Sequence, residues 1–447
     1  MEIHFIAIGG AAMHNLALAL KTKGYYVTGS DDEINEPSRS RLANAGLLPS
    51  KMGWFPEKIH IGLDAVILGM HARADNPELL KAQKLGVKVF SYPEYLYEQS
   101  KDKLRIVVGG SHGKTSITAM ILHVLGICNK NFDYMVGSQL AGFDTMVKIT
   151  ADAPIIILEG DEYLSSPIDR RPKFHLYKSD IALLSGIAWD HINVFPTFEQ
   201  YVEQFRIFVR QIPVSGALVY CKEDEWVRSV SDDAVEGVKK LGYGIPANEI
   251  RDGITYLKTE TGEVELQIFG DHNLMNLTGA RLVCNLVGIS DADFYYAITS
   301  FKGAARRLEL VSRSEKNIIY KDFAHSPSKL MATTKAVKQQ YANKKVIACM
   351  ELHTFSSLNA QFLEVYNGSM DAADVAIVYF NPHTIEHKKL AAITKDQVKS
   401  AFKREDLLVF DSSVELKKHL QSYTFNGDVL LMMSSGTFDG LDLKELV

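Results

Sequence analysis

The sequence predicts an α/β protein of three domains, and three observations carry that reading. A chain of 447 residues exceeds what one hydrophobic core supports. A strand–glycine–helix–strand segment at the N-terminus, and apolar runs alternating with helical stretches at the C-terminus, each describe a doubly wound, Rossmann-like layer. Between them an apolar run ends in Gly-Gly-Ser-His-Gly-Lys-Thr-Ser and passes into an amphipathic segment, the layout of a phosphate-binding loop. The domains are set at 1–102, 103–303 and 304–447, with the polar, charged run 99–103 marking the first boundary.

Composition narrows the partners. Apolar residues make up 46% and charged residues 23%, with a net charge of −5. That balance fits a globular protein and argues against nucleic acid or an anionic membrane as partner. Cys128, Cys221, Cys284 and Cys349 are scattered without metal or redox spacing, as suits thiols in a reducing cytoplasm. Residues 3–8 form a short strand-like run without a basic leader, so no signal peptide is read. No apolar stretch approaches the ~20 residues of a membrane span. A cytoplasmic location is the expectation.

In the first domain, residues 3–8 read as a buried strand, followed by Gly9, Gly10 and a helix to about residue 23. A second strand, 25–31, ends in Asp31, about 20 residues past the glycines, as in dinucleotide-type units. Ala7 and Ala12 occupy the outer glycine positions. Further strands are read at 65–68 and 87–90, with a helix begun by Asn76-Pro77-Glu78 between them. His71 and Arg73 follow the 65–68 strand at a carboxyl end, where open α/β sheets bind ligands.

The central loop carries the sharpest chemistry. Gly110, Ser111, His112 and Gly113 would curl so that backbone N–H groups face a phosphate, with the helix N-terminus adding positive potential. Lys114 would reach the terminal phosphates, Thr115 would ligate Mg²⁺, and Ser116 completes the motif. Val108 stands where the common pattern has its first glycine, so Gly110 leads a shorter variant. ATP and Mg²⁺ are the implied cofactors. A strand at 154–158 ends in Glu159, Asp161 and Glu162, where a carboxylate suits Mg²⁺. Another at 181–185 leads to Asp190 and His191.

Three more motifs follow: His272, Asn273 and Asn276 before an apolar helix reaching about residue 287, Arg306-Arg307-Leu308-Glu309, and Asp322-Phe323-Ala324-His325-Ser326-Pro327. Strand-like runs at 346–350, 375–379, 407–410 and 429–433 complete the C-terminal domain. Its glycine loop, 434–440, could orient a substrate carboxylate through backbone N–H groups.

The order of these motifs along the whole chain resembles the Mur ligase family, ATP-dependent amide ligases of peptidoglycan precursor synthesis. The resemblance implies a UDP-sugar site in the first domain, with Gly9, Gly10, Asp31, His71 and Arg73 as candidate contacts. It implies an ATP site in the second and an amine site in the third. It implies Thr115, Glu159 and His191 as Mg²⁺ ligands, and Lys114, His191 and Arg307 as the catalytic set. His272, Asn273 and Asn276 would lie near the adenine, and Arg307 and Asp322 would reach the nucleotide. His325, Ser435 and Gly436 fall on the amine side. Gly186 and Ala188 depart from the Asn and Glu often found in relatives, and Ser326 replaces a usual second histidine.

Within the family, the loop bearing Arg170, Arg171 and Lys173 resembles the murein peptide ligases, as do His112 and the run ending at Gly440. Three cations within four residues suit a substrate with several carboxylates. The expectation is a ligase joining the lactyl carboxylate of UDP-N-acetylmuramate to L-Ala-γ-D-Glu-meso-diaminopimelate in peptidoglycan recycling. The alternative is the L-alanine ligase of de novo synthesis. Small-molecule substrates and a monomer or weak homodimer complete the reading. A nicotinamide dehydrogenase would leave residues 110–116 purposeless, and a non-catalytic nucleotide-binding regulator would not need Lys114, Thr115, Glu159 and His191 together.

Overall fold

The computed structural model describes residues 1–140, 142–189, 194–304 and 307–446. The chain forms two compact units, Met1–Gly244 with Met275–Ile298, and Ile245–Leu274 with Thr299–Val447.

Two sheets build the first unit. Strands β1 (Glu2–Ile6), β2 (Tyr26–Ser30), β3 (Ala65–Leu68) and β4 (Val89–Ser91) pair in the order β2-β1-β3-β4, all parallel. The first strand was expected to reach residue 8 but stops at Ile6. Ala7 takes φ +67°, and the N–H groups of Ala7 and Ile8 both donate to the Ser30 carbonyl, at 2.9 and 3.1 Å. Ala7 thus adopts the left-handed conformation that a glycine would supply there. The helix Ala11–Thr22 follows.

The second sheet comprises β5 (Leu104–Gly109), β6 (Phe132–Met135), β7 (Val147–Lys148), β8 (Ile155–Glu159), β9 (Ile181–Leu184), β10 (Ala217–Cys221) and β11 (Lys239–Tyr243). Their order is β11-β10-β9-β5-β8-β6-β7, parallel except for the β6–β7 pair. The central strand β5 therefore lies between β8 and β9, with Val108 opposite Glu159 and Gly109 opposite Leu184. Buried aromatics support this sheet. Phe174 stacks on Phe208 at 4.6 Å and meets Phe205 edge-on at 5.4 Å, and all three are 0–1% exposed.

In the second unit, β12 (Asn248–Arg251), β13 (Ile254–Thr259) and β14 (Gly262–Leu266) form an antiparallel meander. The helix Pro327–Gln340 anchors it, through Gln340 bonded to the Thr255 hydroxyl at 2.9 Å and the Gly253 carbonyl at 2.7 Å. The larger sheet holds β15 (Glu309–Arg313), β16 (Asn317–Asp322), β17 (Val346–Leu352), β18 (Val375–Phe380), β19 (Leu408–Phe410) and β20 (Asp428–Met433). Its order is β15-β16-β20-β17-β18-β19, parallel except at the β15 edge. Apolar clusters cover both faces, as parallel sheets require.

All four cysteines are free thiols. No described helix is long and apolar enough to cross a membrane.

Replacing Phe205 by Ala removes the ring that Phe174 and Tyr201 pack against. The loss should be about 3–5 kcal/mol, read as a lower urea midpoint. Tyr26→Ala, at a site 66% exposed, should change it by under about 0.5 kcal/mol. Equal midpoints for the two variants would contradict this packing.

Candidate active site

The loop after β5 is shaped by two glycines. Gly110 sits at φ +125°, where a Cβ would come within 3.0 Å of the Gly186 nitrogen. Gly113 sits at φ +79°, and a Cβ there would lie 2.5 Å from the Asn276 side-chain oxygen. Asn276 is thus packed against the loop. The helix Lys114–Ile127 begins directly after Gly113.

Lys114 does not point into solvent. Its ammonium donates to the Gly110 carbonyl at 2.6 Å and to Glu162 Oε2 at 2.7 Å, and Glu162 is 1% exposed. Burial works to lower the Lys114 pKa, but Glu162 first, then Asp161 and Glu159, outweigh it and hold it above the ordinary lysine value. The ammonium stays charged, as phosphate binding requires. Asp161 is only partly buried; desolvation works to raise its carboxyl pKa, but Lys173 and Lys114 keep it below the usual range.

The Thr115 hydroxyl donates to Glu159 Oε1 at 2.8 Å, and the Gly137 N–H donates to Oε2 at 2.8 Å. A hydroxyl and a carboxylate side by side at the loop are the hard oxygen donors that Mg²⁺ takes, so these residues fit that ion. His191, the third expected ligand, and Asp190 and Arg306 lie outside the described residues. Among the described residues no group of three His, Cys, Asp or Glu could hold a metal.

Ser111 ties the loop to the segment after β9 and to Tyr201. Its N–H donates to the Gly186 carbonyl at 2.8 Å, and its hydroxyl oxygen accepts from Ala188 N–H at 2.9 Å and lies 2.8 Å from the Tyr201 hydroxyl. The His112 carbonyl accepts from the Ser185 hydroxyl, and Ser116 is buried in the first helical turn. Glu162 and Tyr201 were missed as site residues. Glu162 was legible as one of three acids after β8. Tyr201 had no local signal, because only folding brings it to the loop.

In the N-terminal sheet, Asp31 accepts from the Gly9 N–H at 2.7 Å, while burial raises its pKa. Gly10 caps the first helix, and its carbonyl lies 3.0 Å from His14 Nδ1. His71 is exposed beyond β3, and Arg73 faces Asp75 at 3.4 Å on the surface.

In the second unit, Asp322 closes β16 with both oxygens on backbone donors, Leu308 N–H at 2.7 Å and Ala324 N–H at 2.7 Å. This braces Leu308, which sits at φ +46°. Arg307 lies over the Phe323 ring at 5.1 Å. Burial lowers the His272 pKa, Asp322 and Asp271 oppose that, and Arg307 reinforces it. Asn273 donates to the Phe269 carbonyl at 3.0 Å. The His325 ring meets the Phe323 ring edge-on at 5.2 Å. Gly436 N–H donates to the Ser434 hydroxyl at 2.6 Å, that hydroxyl donates to buried Glu351, and Ser435 lies between them in sequence.

Three family descriptions match the chain in order. They are the Mur ligase family catalytic domain over residues 2–103, the Mur ligase middle domain over 108–284, and the Mur ligase glutamate ligase domain over 306–436. A UDP-N-acetylmuramate–L-alanine ligase of Caldanaerobacter subterraneus subsp. tengcongensis is 31% identical, covering 97% of this chain and 95% of that protein. This chain is a Mur ligase.

The family makes it an ATP-dependent ligase that forms amide bonds between small-molecule substrates. Its three-domain α/β fold is shared with solved structures. That of a Thermotoga maritima UDP-N-acetylmuramate–alanine ligase has a TM-score of 0.71 at 21% identity, covering 98% of this chain and 97% of that one. A murein peptide ligase from Psychrobacter arcticus has a TM-score of 0.63 at 22% identity, covering 100% and 98%.

The expectation of a tripeptide ligase is corrected by the sequence relatives. Further relatives matching most of the chain, at 26–29% identity, carry the L-alanine ligase name as well. The charge argument behind that expectation counted three available cations, and the fold occupies two of them. Arg171 pairs with Asp169 at 2.7 Å and Glu94 at 3.3 Å, and Lys173 pairs with Asp161 at 2.6 Å. Of the three, only Arg170 forms no ion pair among the described residues.

Lys114→Ala should abolish ATP-dependent phosphate release, lowering turnover by orders of magnitude. Circular dichroism should keep its wild-type shape. Near-wild-type turnover would refute the loop as the phosphate site.

Proposed function

We propose that this Mur ligase joins L-alanine to the lactyl carboxylate of UDP-N-acetylmuramate, converting ATP to ADP and phosphate. The observation that carries the proposal is 31% identity to a ligase of that name over 97% of the chain. Residues 1–102 would hold the UDP-sugar, 103–303 the ATP, and 304–447 the amine. Gly9, Gly10, Asp31, His71 and Arg73 are the proposed UDP-sugar contacts, and His325, Ser435 and Gly436 the amine contacts. His272, Asn273, Asn276, Arg307 and Asp322 are proposed for the nucleotide.

An amine cannot displace oxide from a carboxylate, so the acid must be activated first. A lactyl carboxylate oxygen attacks the γ-phosphorus, the bond to the β-phosphate oxygen breaks, and ADP leaves with that electron pair. The amine then attacks the acyl carbon, inorganic phosphate leaves, and the nitrogen releases a proton. Two anions must meet in the first step. The Lys114 ammonium, kept charged by its acidic neighbours, would neutralise the γ-phosphate as the carboxylate approaches. Mg²⁺ bound through Thr115, Glu159 and the expected His191 would supply further screening of phosphate charge. The helix beginning at Lys114 adds its N-terminal potential. A cytoplasmic monomer or weak homodimer accords with this role.

Two measurements test the proposal. Phosphate release with UDP-N-acetylmuramate should show at least about tenfold higher kcat/KM for L-alanine than for L-Ala-γ-D-Glu-meso-diaminopimelate, or ~1.4 kcal/mol. Preference for the tripeptide would overturn the assignment. Separately, Thr115→Ala and Glu159→Gln should each raise the Mg²⁺ concentration for half-maximal activity. Titrations superimposing on wild type would remove both residues from the metal site.

A further inference from the structure

Tyr201 lies on the helix Phe198–Arg210, remote in sequence from the phosphate loop, and is 0% exposed. Its ring packs against Phe195 at 5.6 Å and Phe205 at 5.2 Å. Phenylalanine would satisfy that packing equally well, so the hydroxyl needs its own explanation. The hydroxyl lies 2.8 Å from Ser111 Oγ and 3.1 Å from Glu162 Oε1.

The chemistry of the groups fixes the direction of every bond. Glu162, paired with the Lys114 ammonium, is a carboxylate and only accepts. Tyr201 must therefore donate its single proton to Glu162. Its oxygen then accepts from the Ser111 hydroxyl, whose oxygen in turn accepts from Ala188 N–H at 2.9 Å. The relay runs from Ala188 through Ser111, Tyr201 and Glu162 to Lys114. Lys114 closes it onto the loop through the Gly110 carbonyl at 2.6 Å. Two of the three ammonium donors are thereby committed, which sets the direction of the third.

We propose that Tyr201 is a positioning residue for phosphoryl transfer, whose hydroxyl holds the Glu162 carboxylate so that Lys114 is aimed at the γ-phosphate. The inference rests on the proposed role of Lys114. Without the hydroxyl, Oε1 of a carboxylate that is 1% exposed loses a neutral donor, and Glu162 is held less firmly at the Lys114 contact. The ammonium then follows a less tightly held partner, and a small misplacement of a charge-neutralising group is costly to the chemical step.

The test is Tyr201→Phe, assayed by phosphate release with saturating L-alanine. The kcat should fall about tenfold or more, while KM for UDP-N-acetylmuramate stays within twofold and the Tm shifts by only a few degrees. A merely structural tyrosine would lower the Tm and leave the kcat of the folded fraction intact, which would overturn the proposal. A double-mutant cycle supplies the second readout. In a Glu162→Gln background, Tyr201→Phe should add less than a twofold loss, because the relay is already broken. Full additivity would also overturn it. Should Tyr201→Phe fail to fold, Glu162→Gln probes the relay from its other end and must lower kcat at an unchanged KM for UDP-N-acetylmuramate. Lys114→Ala run in parallel separates the two ideas. An inactive Lys114→Ala beside a fully active Tyr201→Phe removes only the relay, whereas an active Lys114→Ala removes both.

Discussion

The contact on which this site turns is the ion pair between Lys114 and Glu162, two opposite charges held 2.7 Å apart beneath a glycine loop. Each charge offsets the cost of burying the other, and the Tyr201 hydroxyl and the Gly110 carbonyl complete their partners. Their mutual dependence explains why the acids after β8 crowd toward the loop. Glu159 takes the Thr115 hydroxyl, Glu162 takes the ammonium, and Asp161 turns to Lys173. Three carboxylates within four residues would repel one another unless each met its own donor. The fold provides one for each.

Sheet order makes this possible. Because β5 is flanked by β8 and β9, the carboxyl ends of three strands converge on one point. The loop leaves β5, the acids leave β8, and the Ser185–Ala188 segment leaves β9 to support Ser111 and the His112 carbonyl. Ligands of open α/β sheets gather at such carboxyl ends, where strands stop and backbone groups are unpaired. In the second unit the same logic operates at β16 and β20, where Asp322 accepts from Leu308 and Ala324 while its carbonyl accepts from Ser434 N–H.

Some predictions from sequence erred for reasons that can be named. The first strand ends two residues early because an alanine adopts a left-handed turn, a conformation that propensity assigns to glycine. The meander β12–β14 was not read as strands, since its exposed edges carry polar residues without a strong apolar alternation. Arg171 and Lys173 looked like a receptor for carboxylates because a sequence displays charges without their partners. In the fold, Asp169 lies two residues from Arg171 and Asp161 twelve from Lys173, and both cations are paired within the chain. The substrate assignment built on that loop failed with it.

The sequence by itself determined whatever depends on neighbouring residues. The glycine turn at 110–113 and the helix after it were legible because they form one continuous stretch, and a turn is a local object. The alternation of strands and helices was legible for the same reason, as was the run of acids after β8. Tertiary structure alone decided which acid meets which base. Glu162 joins Lys114 across 48 residues, and Tyr201 joins Ser111 across 90. Such pairs leave no spacing to read, because the energy that selects them comes from burial and comes into being only when the strands are laid side by side.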